Sequence, residues 1–380
     1  MVYLFSISII LIIYTFIGYP IIVYWLSLKL KNNLQTDSLN SVKHYDLTIL
    51  MIVCNEEKQV EKKLTNLLNL SYFNEQPKIV IVDDNSDDST VEIINKVSSN
   101  RIDLIMAPHR LGKANGINVA MEVITTPLVL LVDVRQEVDI DAAEKLSKWF
   151  EMDQNVGAIS GELCFKSTSE NDFSKGMDGY WRYEKFIRKS EAAFNSVPGV
   201  TGALYMLRRE AFEEIPTDTI LDDVLIPMVA IQKGYKIGFD DQAKAWDIPS
   251  NDPVNERRRK IRTINGNFQL LFRNPKWLLP TGNPIWWQYI SHKILRLFIP
   301  YIALLSLLLS IRMANDSNMF ALIYSVGFIV ALLLYPINVF VPLLGKNKYL
   351  RLWLSFLTLN WFNVLGFYDY LFSARKQSWK

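Results

Sequence analysis

The stretch KIVIVDDNSDDST, Lys78 to Thr90, places a short apolar run directly before four aspartates. An apolar run of this length, bounded by turn residues, is typical of a strand buried inside a parallel sheet. Asp, Asn and Ser are favoured in turns and helix caps, so residues 87–89 are expected to lead into a helix near Thr90. Asp83 and Asp84 follow the strand at once, where open α/β sheets bind their ligands.

The same alternation of strand and helix patterns continues over residues 45–274. Short β-branched runs alternate with helical periodicity, in the order LTILMIV, KIVIV, IDLIMA, LVLLVD and VGAIS. This order predicts an α/β domain with a mainly parallel sheet. Acidic residues follow the first, second and fourth predicted strands, at Glu56, Asp83–Asp84 and Asp133. We therefore expect these carboxylates at one edge of the sheet.

Composition and charge disfavour several other classes of protein. The 380 residues include 41 basic and 39 acidic side chains, interspersed, with a net charge of +2. No nucleic-acid partner is therefore expected. The two cysteines, Cys54 and Cys164, stand apart in apolar surroundings, which predicts free thiols in a reducing compartment rather than a zinc site. A G-x-G-x-x-G motif is absent, which disfavours a dinucleotide-binding fold.

Hydrophobic residues make up 50% of the chain and concentrate at its two ends. Residues 2–28 carry no formal charge and exceed the roughly 20 residues that span a bilayer core. A cleaved signal peptide is disfavoured, because no basic region precedes this run and no small-residue cleavage site follows it. Lysines follow the segment, so the next part of the chain is expected in the cytosol.

More apolar segments follow the α/β region. Residues 294–311 and 319–344 predict two spans, whereas polar residues interrupt residues 350–372, which fit either a third span or an interfacial helix. The aromatic segment GNPIWWQYISHK predicts an amphipathic helix at the headgroup level. The sequence therefore predicts an integral membrane protein with a cytosolic catalytic domain. Its predicted parts are a transmembrane helix (1–28), an α/β domain (45–275), an interfacial segment (276–293) and a C-terminal membrane region (294–372).

Six motifs, in order, resemble those of the family 2 glycosyltransferases, whose GT-A fold binds nucleotide-sugars. They are IVCNEE, IVDDNSDDST, GKANGINVA, LLVDVRQ, GVTGALYMLRREAF and LDDVLIPMVAIQKGYKIGF, and they cover roughly residues 48–266. The resemblance implies an inverting enzyme that transfers a hexosyl or N-acetylhexosaminyl group from a nucleotide-sugar, with a UDP-sugar as the expected donor. The implied acceptor is a membrane-associated polysaccharide, lipid or lipid-linked sugar.

The matched positions carry three groups of predicted site residues. The catalytic group is Asp223, Asp222 and Arg262. In this group Asp223 is the expected general base, and Arg262 is expected to face the leaving diphosphate. The donor-binding group is Glu56, Asp83, Asp84, Lys113, Asp133, Arg135 and Arg259. The acceptor-binding group is Trp181, Gly199, Thr201 and Gly202. Two structural alternatives stay open at this point. Asp222 and Asp223 could cap the helix that follows them, and the ring of Trp181 could belong to the core.

The sequence departs from the family pattern at the metal-binding DxD motif, which here is Asp133-Val134-Arg135. An Arg cannot bind Mg²⁺ but can pair with phosphate. Asp133 is thus the expected protein ligand of Mg²⁺ or Mn²⁺, while Arg135 either assists the diphosphate or points away to a structural partner. The need for a metal is an open question at this point.

A second departure concerns the Gln-x-x-Arg-Trp motif of the processive polysaccharide synthases, which here is Arg259-Lys260-Ile261-Arg262-Thr263. Thr263 removes an aromatic face on which an acceptor sugar stacks, which favours a single transfer. One leading and several trailing apolar segments favour polymerisation instead. The basic run ERRRKIR, residues 256–262, could also contact anionic lipid headgroups.

Two other functions remain alternatives to the transferase. The chain could be an inactive membrane subunit that binds nucleotide-sugars, for which Arg135 is the main support, or it could be a membrane nucleotidyltransferase. Release of pyrophosphate rather than nucleoside diphosphate would distinguish the latter.

Overall fold

The computed structural model describes residues 1–30, 44–166, 172–248, 253–340 and 348–372. The chain begins with an apolar helix made of α1 (Val2–Ile13), a π-helical turn (Tyr14–Gly18) and α2 (Tyr19–Leu30). An α/β domain follows, and three further helices complete the described part of the chain.

Eight strands form one sheet in the order β3-β2-β1-β4-β7-β6-β8-β5. The strands are β1 (Leu47–Val53), β2 (Lys78–Asp83), β3 (Ile102–Met106), β4 (Leu128–Val132), β5 (Glu137–Val138), β6 (Val156–Phe165), β7 (Leu204–Arg208) and β8 (Lys236–Asp247). Strands β3, β2, β1 and β4 run parallel, as predicted. Strand β7 enters antiparallel between β4 and β6, and β5 pairs antiparallel with β8. The α/β class is confirmed, and the sheet is mixed.

Helices cover both faces of the sheet. They are α3 (Val60–Leu68), α4 (Thr90–Lys96), α5 (Lys113–Val123), α6 (Ala142–Met152), α7 (Asp172–Phe194), α8 (Asp222–Gln232) and α9 (Pro253–Arg273). Strand β1 is buried along its whole length, and its alternate residues enter two different hydrophobic cores. Burial on both faces explains why LTILMIV is an uninterrupted apolar run.

The C-terminal helices are α10 (Trp286–Gln288), α11 (Leu295–Asn315), α12 (Met319–Phe340) and α13 (Lys348–Phe372). A π-helical segment, Tyr289–Ile294, joins α10 to α11, so residues 286–315 form one continuous helix. In the described ranges, Val2–Lys29 and Trp286–Asn315 are long and apolar enough to cross a membrane. The aromatic segment that was expected as a separate interfacial helix therefore continues into the next apolar helix. The domain boundaries and the orientation to a membrane stay predictions.

Helix α13 packs against other helices through the polar residues that interrupt its apolar pattern. Asn363 Nδ2 donates to the carbonyl of Arg296 at 3.0 Å, and Asp369 accepts from Asn265 of α9 at 2.5 Å. Because these groups are paired inside the protein, they do not decide between a span and an interfacial helix.

Strand register brings several loops to one edge of the sheet. Val53 lies beside Asp83, and Met51 lies beside Val132, so the loops after β1, β2 and β4 emerge together. The antiparallel strand β7 begins at Leu204, opposite Val132. The loop before β7 therefore reaches the same edge, beside Asp133.

Candidate functional site

Lys113, the first residue of α5, joins two acidic loops of this edge. Its Nζ lies 2.7 Å from Asp133 Oδ1 and 3.4 Å from Asp222 Oδ2. Burial lowers the pKa of Lys113, but the negative charges of Asp133 and Asp222 outweigh burial and raise the pKa above its usual range. Lys113 is therefore charged and holds the end of β4 close to the start of α8.

Asp84 positions this lysine by fixing the turn before α5. Its two carboxylate oxygens accept the backbone N–H groups of Leu111 and Gly112, each at 2.9 Å. Gly112 has φ +93°, a conformation that favours glycine. Asp83 likewise accepts from the amide of Ser86 at 2.9 Å. Both aspartates are fully buried and have these structural contacts. Their contact with the nucleoside stays a prediction.

The remaining acidic residues of the opening stretch connect two loops of the sheet edge. Asp88 Oδ1 accepts the N–H of Thr90 at 2.9 Å, which confirms its predicted role in the turn before α4. The Thr90 hydroxyl accepts the N–H of Glu56 at 2.8 Å. Burial raises the pKa of Glu56; the charge of Arg135 opposes this effect, and that of Asp133 adds to it. Glu56 therefore lies within electrostatic reach of Asp133.

Asp222 and Asp223 are the first two residues of α8, and Leu221 occupies its N-cap. Neither carboxylate makes a capping hydrogen bond, so the alternative that Asp222 caps the helix is wrong. The side chain of Asp223 accepts no hydrogen bond from another described residue. Burial, followed by the charge of Asp222, raises the pKa of Asp223 to about 6, against the opposing charge of Lys113. A carboxylate of this kind can accept a proton near neutral pH.

A proline positions the backbone of Asp223. In a regular helix the carbonyl of Asp223 would accept the N–H of residue 227, but Pro227 has none. The free carbonyl instead accepts the N–H of Val200 at 2.8 Å. Gly199, with φ +134°, allows the chain to pass this close to Val224. The predicted acceptor-binding segment is thereby bonded to the predicted base.

Gly202 lies at the centre of the site. A Cβ atom added to it would lie 3.4 Å from Lys113 Nζ and 3.6 Å from both Asp133 Oδ2 and Asp223 Oδ2. Its neighbour Thr201 donates its N–H to Ser160 Oγ at 3.0 Å. The structure thus brings together predicted base, metal, donor and acceptor residues, and the absent side chain of Gly202 leaves space between them.

Arg135 points away from this space. Its guanidinium pairs with Asp247 at the end of β8, and Gln136 Nε2 donates to the same carboxylate at 3.0 Å. Antiparallel pairing of β5 with β8 sets Glu137 opposite Trp246 and so brings these residues together. Of the two alternatives for Arg135, the structural partner is the one observed.

Asp133 suits a divalent ion that is bound jointly by the protein and the substrate phosphates, rather than by protein side chains alone. No group of three or more His, Cys, Asp or Glu side chains within the described ranges is arranged to hold a metal. Asp133 is 38% exposed and faces Gly202. Mg²⁺ commonly binds one or two carboxylates together with substrate phosphates, and Asp133 fits this arrangement.

Two predicted residues, Arg262 and Arg259, lie on helix α9. Arg262 is exposed on α9 and makes no ion pair with another described residue. It precedes Gly266 by one helical turn, and Gly266 packs closely against Leu221, so Arg262 is on the face turned toward the start of α8. Arg259 Nη1 lies 3.9 Å from Glu256 Oε2.

Trp181 of α7 is half-buried and packs against two side chains. Lys260 Nζ lies 5.4 Å from the centre of its ring, and the ring of Phe165 is also at 5.4 Å. A cation over the indole face occupies the surface that a sugar would use. The contribution of Trp181 to acceptor binding stays a prediction.

Tyr205 is a site residue that the sequence analysis missed. Its side chain is fully buried, and its hydroxyl has no hydrogen-bond partner among the described residues. Burial and the charges of Asp222, Asp223 and Asp133 raise its pKa well above the usual value. Tyr205 stands in an apolar run that resembles core, and only the glycine-rich loop before it signals a nearby site.

Part of this chain is similar in sequence to known glycosyltransferases. Residues 48–216 match the family described as Glycosyl transferase family 2. A poly-beta-1,6-N-acetyl-D-glucosamine synthase of Staphylococcus aureus (strain COL) is 25% identical over 253 residues, which are 65% of this chain and 60% of that protein. The synthase of Staphylococcus epidermidis is 22% identical over 260 residues, 67% of this chain and 59% of that protein. The match therefore spans about 60% of the length of these relatives.

A solved structure supports the fold over nearly the whole chain. A mannosyltransferase from Pyrobaculum calidifontis, in complex with GDP-Man and Mn²⁺, aligns with a TM-score of 0.70 and 20% identity, covering 97% of this chain and 99% of that one. The family match ends at residue 216, before α8, so Asp222 and Asp223 lie outside it. Residues 48–216 thus match the glycosyl transferase family 2 domain, and the fold is that of the GT-A glycosyltransferases.

Proposed function

We propose that the chain is an inverting glycosyltransferase that moves a sugar from a nucleotide-sugar donor to an acceptor held at a membrane. The observation that carries the proposal is the carboxylate of Asp223. It is half-buried, it accepts no hydrogen bond from another described residue, and it faces Gly202 together with Lys113 and Asp133. The match to the glycosyl transferase family 2 domain and the GT-A fold support the same activity.

The donor side of the reaction requires a site for the diphosphate. Lys113 and Asp133 mark this site at the carboxyl edge of the sheet, with Glu56 nearby. Asp133 would hold Mg²⁺ or Mn²⁺, which when bound supplies positive charge to the leaving diphosphate. Arg262, exposed and one turn before Gly266, can approach the same phosphates from α9. A UDP-sugar is the donor we propose, and GDP-mannose is the first alternative to test.

The acceptor side requires a base opposite the leaving group. Asp223 takes the proton of the acceptor hydroxyl while the hydroxyl oxygen forms a bond to the anomeric carbon. The bond from that carbon to the diphosphate oxygen breaks, and a nucleoside diphosphate leaves. A single displacement of this kind inverts the configuration at the anomeric carbon. Residues 199–202 border the acceptor, because their backbone is bonded to Asp223 and Ser160.

The acceptor that we propose is a glycan, lipid or lipid-linked sugar at the membrane surface. The Staphylococcus relatives are named as polysaccharide synthases, which supports a glycan product. Two helices long and apolar enough to cross a membrane support a membrane-associated enzyme. We place the catalytic domain on the cytosolic side, because lysines follow the first apolar helix.

The test is release of nucleoside diphosphate by the detergent-purified chain across UDP- and GDP-sugars, with Mg²⁺ or Mn²⁺. Asp223→Asn should lower the rate by about 10²–10⁴-fold, the usual contribution of a general base. Asp103→Asn, on exposed strand β3, is the matched control and should keep the wild-type rate. An Asp223→Asn rate equal to wild type would contradict the role of Asp223. Pyrophosphate release would indicate a nucleotidyltransferase, and donor binding without turnover in the presence of cell membranes would indicate an inactive subunit.

A further inference from the structure

A buried charged cluster connects α7 to both apolar helices. Glu184 and Glu191 of α7 lie on either side of His292 in the 286–315 helix. His292 Nε2 is 2.7 Å from Glu184 Oε1, and Nδ1 is 2.8 Å from Glu191 Oε1. Each ring nitrogen therefore lies within hydrogen-bonding distance of a carboxylate. The side chains of Glu191 and His292 are 0% and 3% exposed, so each needs the other as a hydrogen-bond partner.

Each carboxylate of this cluster has a second donor. Arg296 Nη1 donates to Glu184 Oε2 at 2.7 Å, and the Tyr19 hydroxyl of α2 donates to Glu191. Removal of His292 would leave Glu184 paired with Arg296. It would leave Glu191 with a neutral hydroxyl and no described cation within 4 Å. Glu191 is therefore the member of the cluster that depends most on His292.

The two π-helical segments meet beside this cluster. The hydroxyls of Tyr14 and Ser291, one in each segment, are 2.7 Å apart. Tyr183 of α7 donates to the carbonyl of Phe16 at 2.8 Å. A π-helical turn displaces backbone carbonyls from their usual partners, and such turns are frequent at functional sites. Helix α7 is thus bonded to both apolar helices at one level.

The same face of α7 reaches the acceptor loop, residues 199–202. Arg188 lies four residues after Glu184 and three before Glu191, so the three side chains share one helix face. Its Nη2 donates to Ser160 Oγ at 2.8 Å and approaches the carbonyl of Gly199 at 3.4 Å. Ser160 Oγ in turn accepts the N–H of Thr201 at 3.0 Å. Arg188 also interacts electrostatically with Glu184 and Glu191. A series of contacts, in which this one step is electrostatic along the helix face, therefore runs from His292 to the loop that faces Asp223.

We propose that Arg188 is a positioning residue for the acceptor loop, and that His292 of the apolar helix sets its position through Glu184 and Glu191. While His292 is bonded to Glu191, Arg188 is available to Ser160 and Gly199. Without His292, Glu191 keeps only the Tyr19 hydroxyl and attracts Arg188, the cation three residues away on the same helix face, and the loop loses its support. The acceptor role of the loop rests on the proposed function, whereas the series of contacts does not.

Hydrogen exchange of the purified chain in detergent tests the contacts without any substrate. His292→Gln and Ser160→Ala should each speed exchange of the Thr201 amide about tenfold, while the amides of β7 stay protected. The double variant His292→Gln/Glu191→Gln should return to within about twofold of wild type, because the unpaired charge is gone. Ser310→Ala is the control, since that hydroxyl is buried in the same apolar helix and bonds only within it.

Several outcomes would overturn the proposal. They are unchanged exchange at Thr201 in His292→Gln, loss of protection throughout β7, or failure of the double variant to recover. If His292→Gln does not fold, Arg188→Met replaces it, and unchanged exchange at Thr201 would again overturn the proposal.

A catalytic readout uses the nucleotide-sugar that the wild-type chain turns over, with isolated cell membranes as the source of acceptor. His292→Gln should shift donor use about tenfold from transfer toward hydrolysis, with the donor KM within about twofold of wild type. An equal loss of transfer and hydrolysis would contradict the role of Arg188 in acceptor positioning. If no donor is turned over at all, the proposed function fails while the exchange experiment still decides the series of contacts.

Discussion

The backbone carbonyl of Asp223 accepts the N–H of Val200 at 2.8 Å, in the position that a helical amide would normally fill. Pro227 makes this possible, because it is four residues farther along α8 and has no N–H. One proline in a helix thereby connects the predicted catalytic base to the predicted acceptor loop.

Replacing Pro227 with Ala should weaken this connection. The new N–H would compete with Val200 for the carbonyl of Asp223, and transfer should fall by about tenfold, as expected when a catalytic group shifts slightly. The melting temperature should not fall, because a proline inside a helix is itself unfavourable. Pro300→Ala, a change inside helix α11, is the matched control for transfer rate. Equal transfer rates in the two variants would show that the Val200 contact has no role.

The pH dependence of transfer should report the pKa of Asp223, which is raised to about 6. The base acts in its deprotonated form, so kcat/KM should fall about tenfold per pH unit below that value. Asp222→Asn removes a negative neighbour, lowers the pKa of Asp223 and should move the acidic limb to lower pH. The measurement is kcat/KM from pH 4.5 to 8. A limb that stays in place or moves to higher pH in Asp222→Asn would contradict the assignment.

Gly202→Ala should block the centre of the site without unfolding the chain. The added methyl group would lie 3.4 Å from Lys113 Nζ and 3.6 Å from two carboxylate oxygens, in ordinary contact with the protein. It would occupy space between reacting groups, so kcat/KM should fall by roughly 100-fold while the melting temperature changes little. Gly327→Ala, where no atom lies within 4 Å of the added group, is the control. Full activity in Gly202→Ala would place the reaction elsewhere.

Arg135→Ala should affect stability more than donor binding. The change leaves the buried carboxylate of Asp247 without its cation, which should cost about 1–2 kcal/mol after allowance for the partial exposure of Arg135. Arg135→Ala/Asp247→Asn should recover most of this loss and keep the donor KM within about threefold of wild type. Thermal unfolding and donor kinetics measure the two effects. A large rise in donor KM that persists in the double variant would show that Arg135 contacts the diphosphate.

Removal of divalent ions with EDTA should abolish nucleoside diphosphate release, and added Mg²⁺ or Mn²⁺ should restore it. Lys113 shares its single charge with Asp133 and Asp222, so the bound cation should carry most of the neutralisation of the diphosphate. A fall of at least about 100-fold is expected, since a bound cation stabilises the leaving group by several kcal/mol. Full release in EDTA would assign that role to Lys113 and Arg262 alone.

Several elements were predictable because their signals are local. The run LTILMIV predicts a buried strand, and β1 is buried on both faces. Asp83, Asp84 and Asp133 follow apolar runs directly, so their place at the carboxyl edge of a parallel sheet could be predicted from the sequence. Turn and helix-start preferences placed the beginning of α4 near Thr90, where it is observed.

Other features needed the tertiary structure. The insertion of β7 between β4 and β6 depends on pairing between distant strands, which periodicity within one segment does not encode. Arg135 pairs with Asp247, 112 residues later in the sequence, because β5 and β8 pair in a particular register. Arg188, Ser160 and Tyr205 look like ordinary helix and core residues until packing sets them beside the acceptor loop and the acidic cluster.

The sequence by itself therefore determined the α/β class, the two apolar helices and the position of the acidic residues at one edge of the sheet. Tertiary structure alone decided the contacts of those residues: which carboxylates are buried in turns, which one accepts no hydrogen bond from a described residue, and which apolar helix contacts the glutamates of α7. The physical reason is that hydrophobic periodicity and turn chemistry act over a few neighbouring residues. Hydrogen bonds and ion pairs between distant segments form only after the strands have paired and the helices have packed.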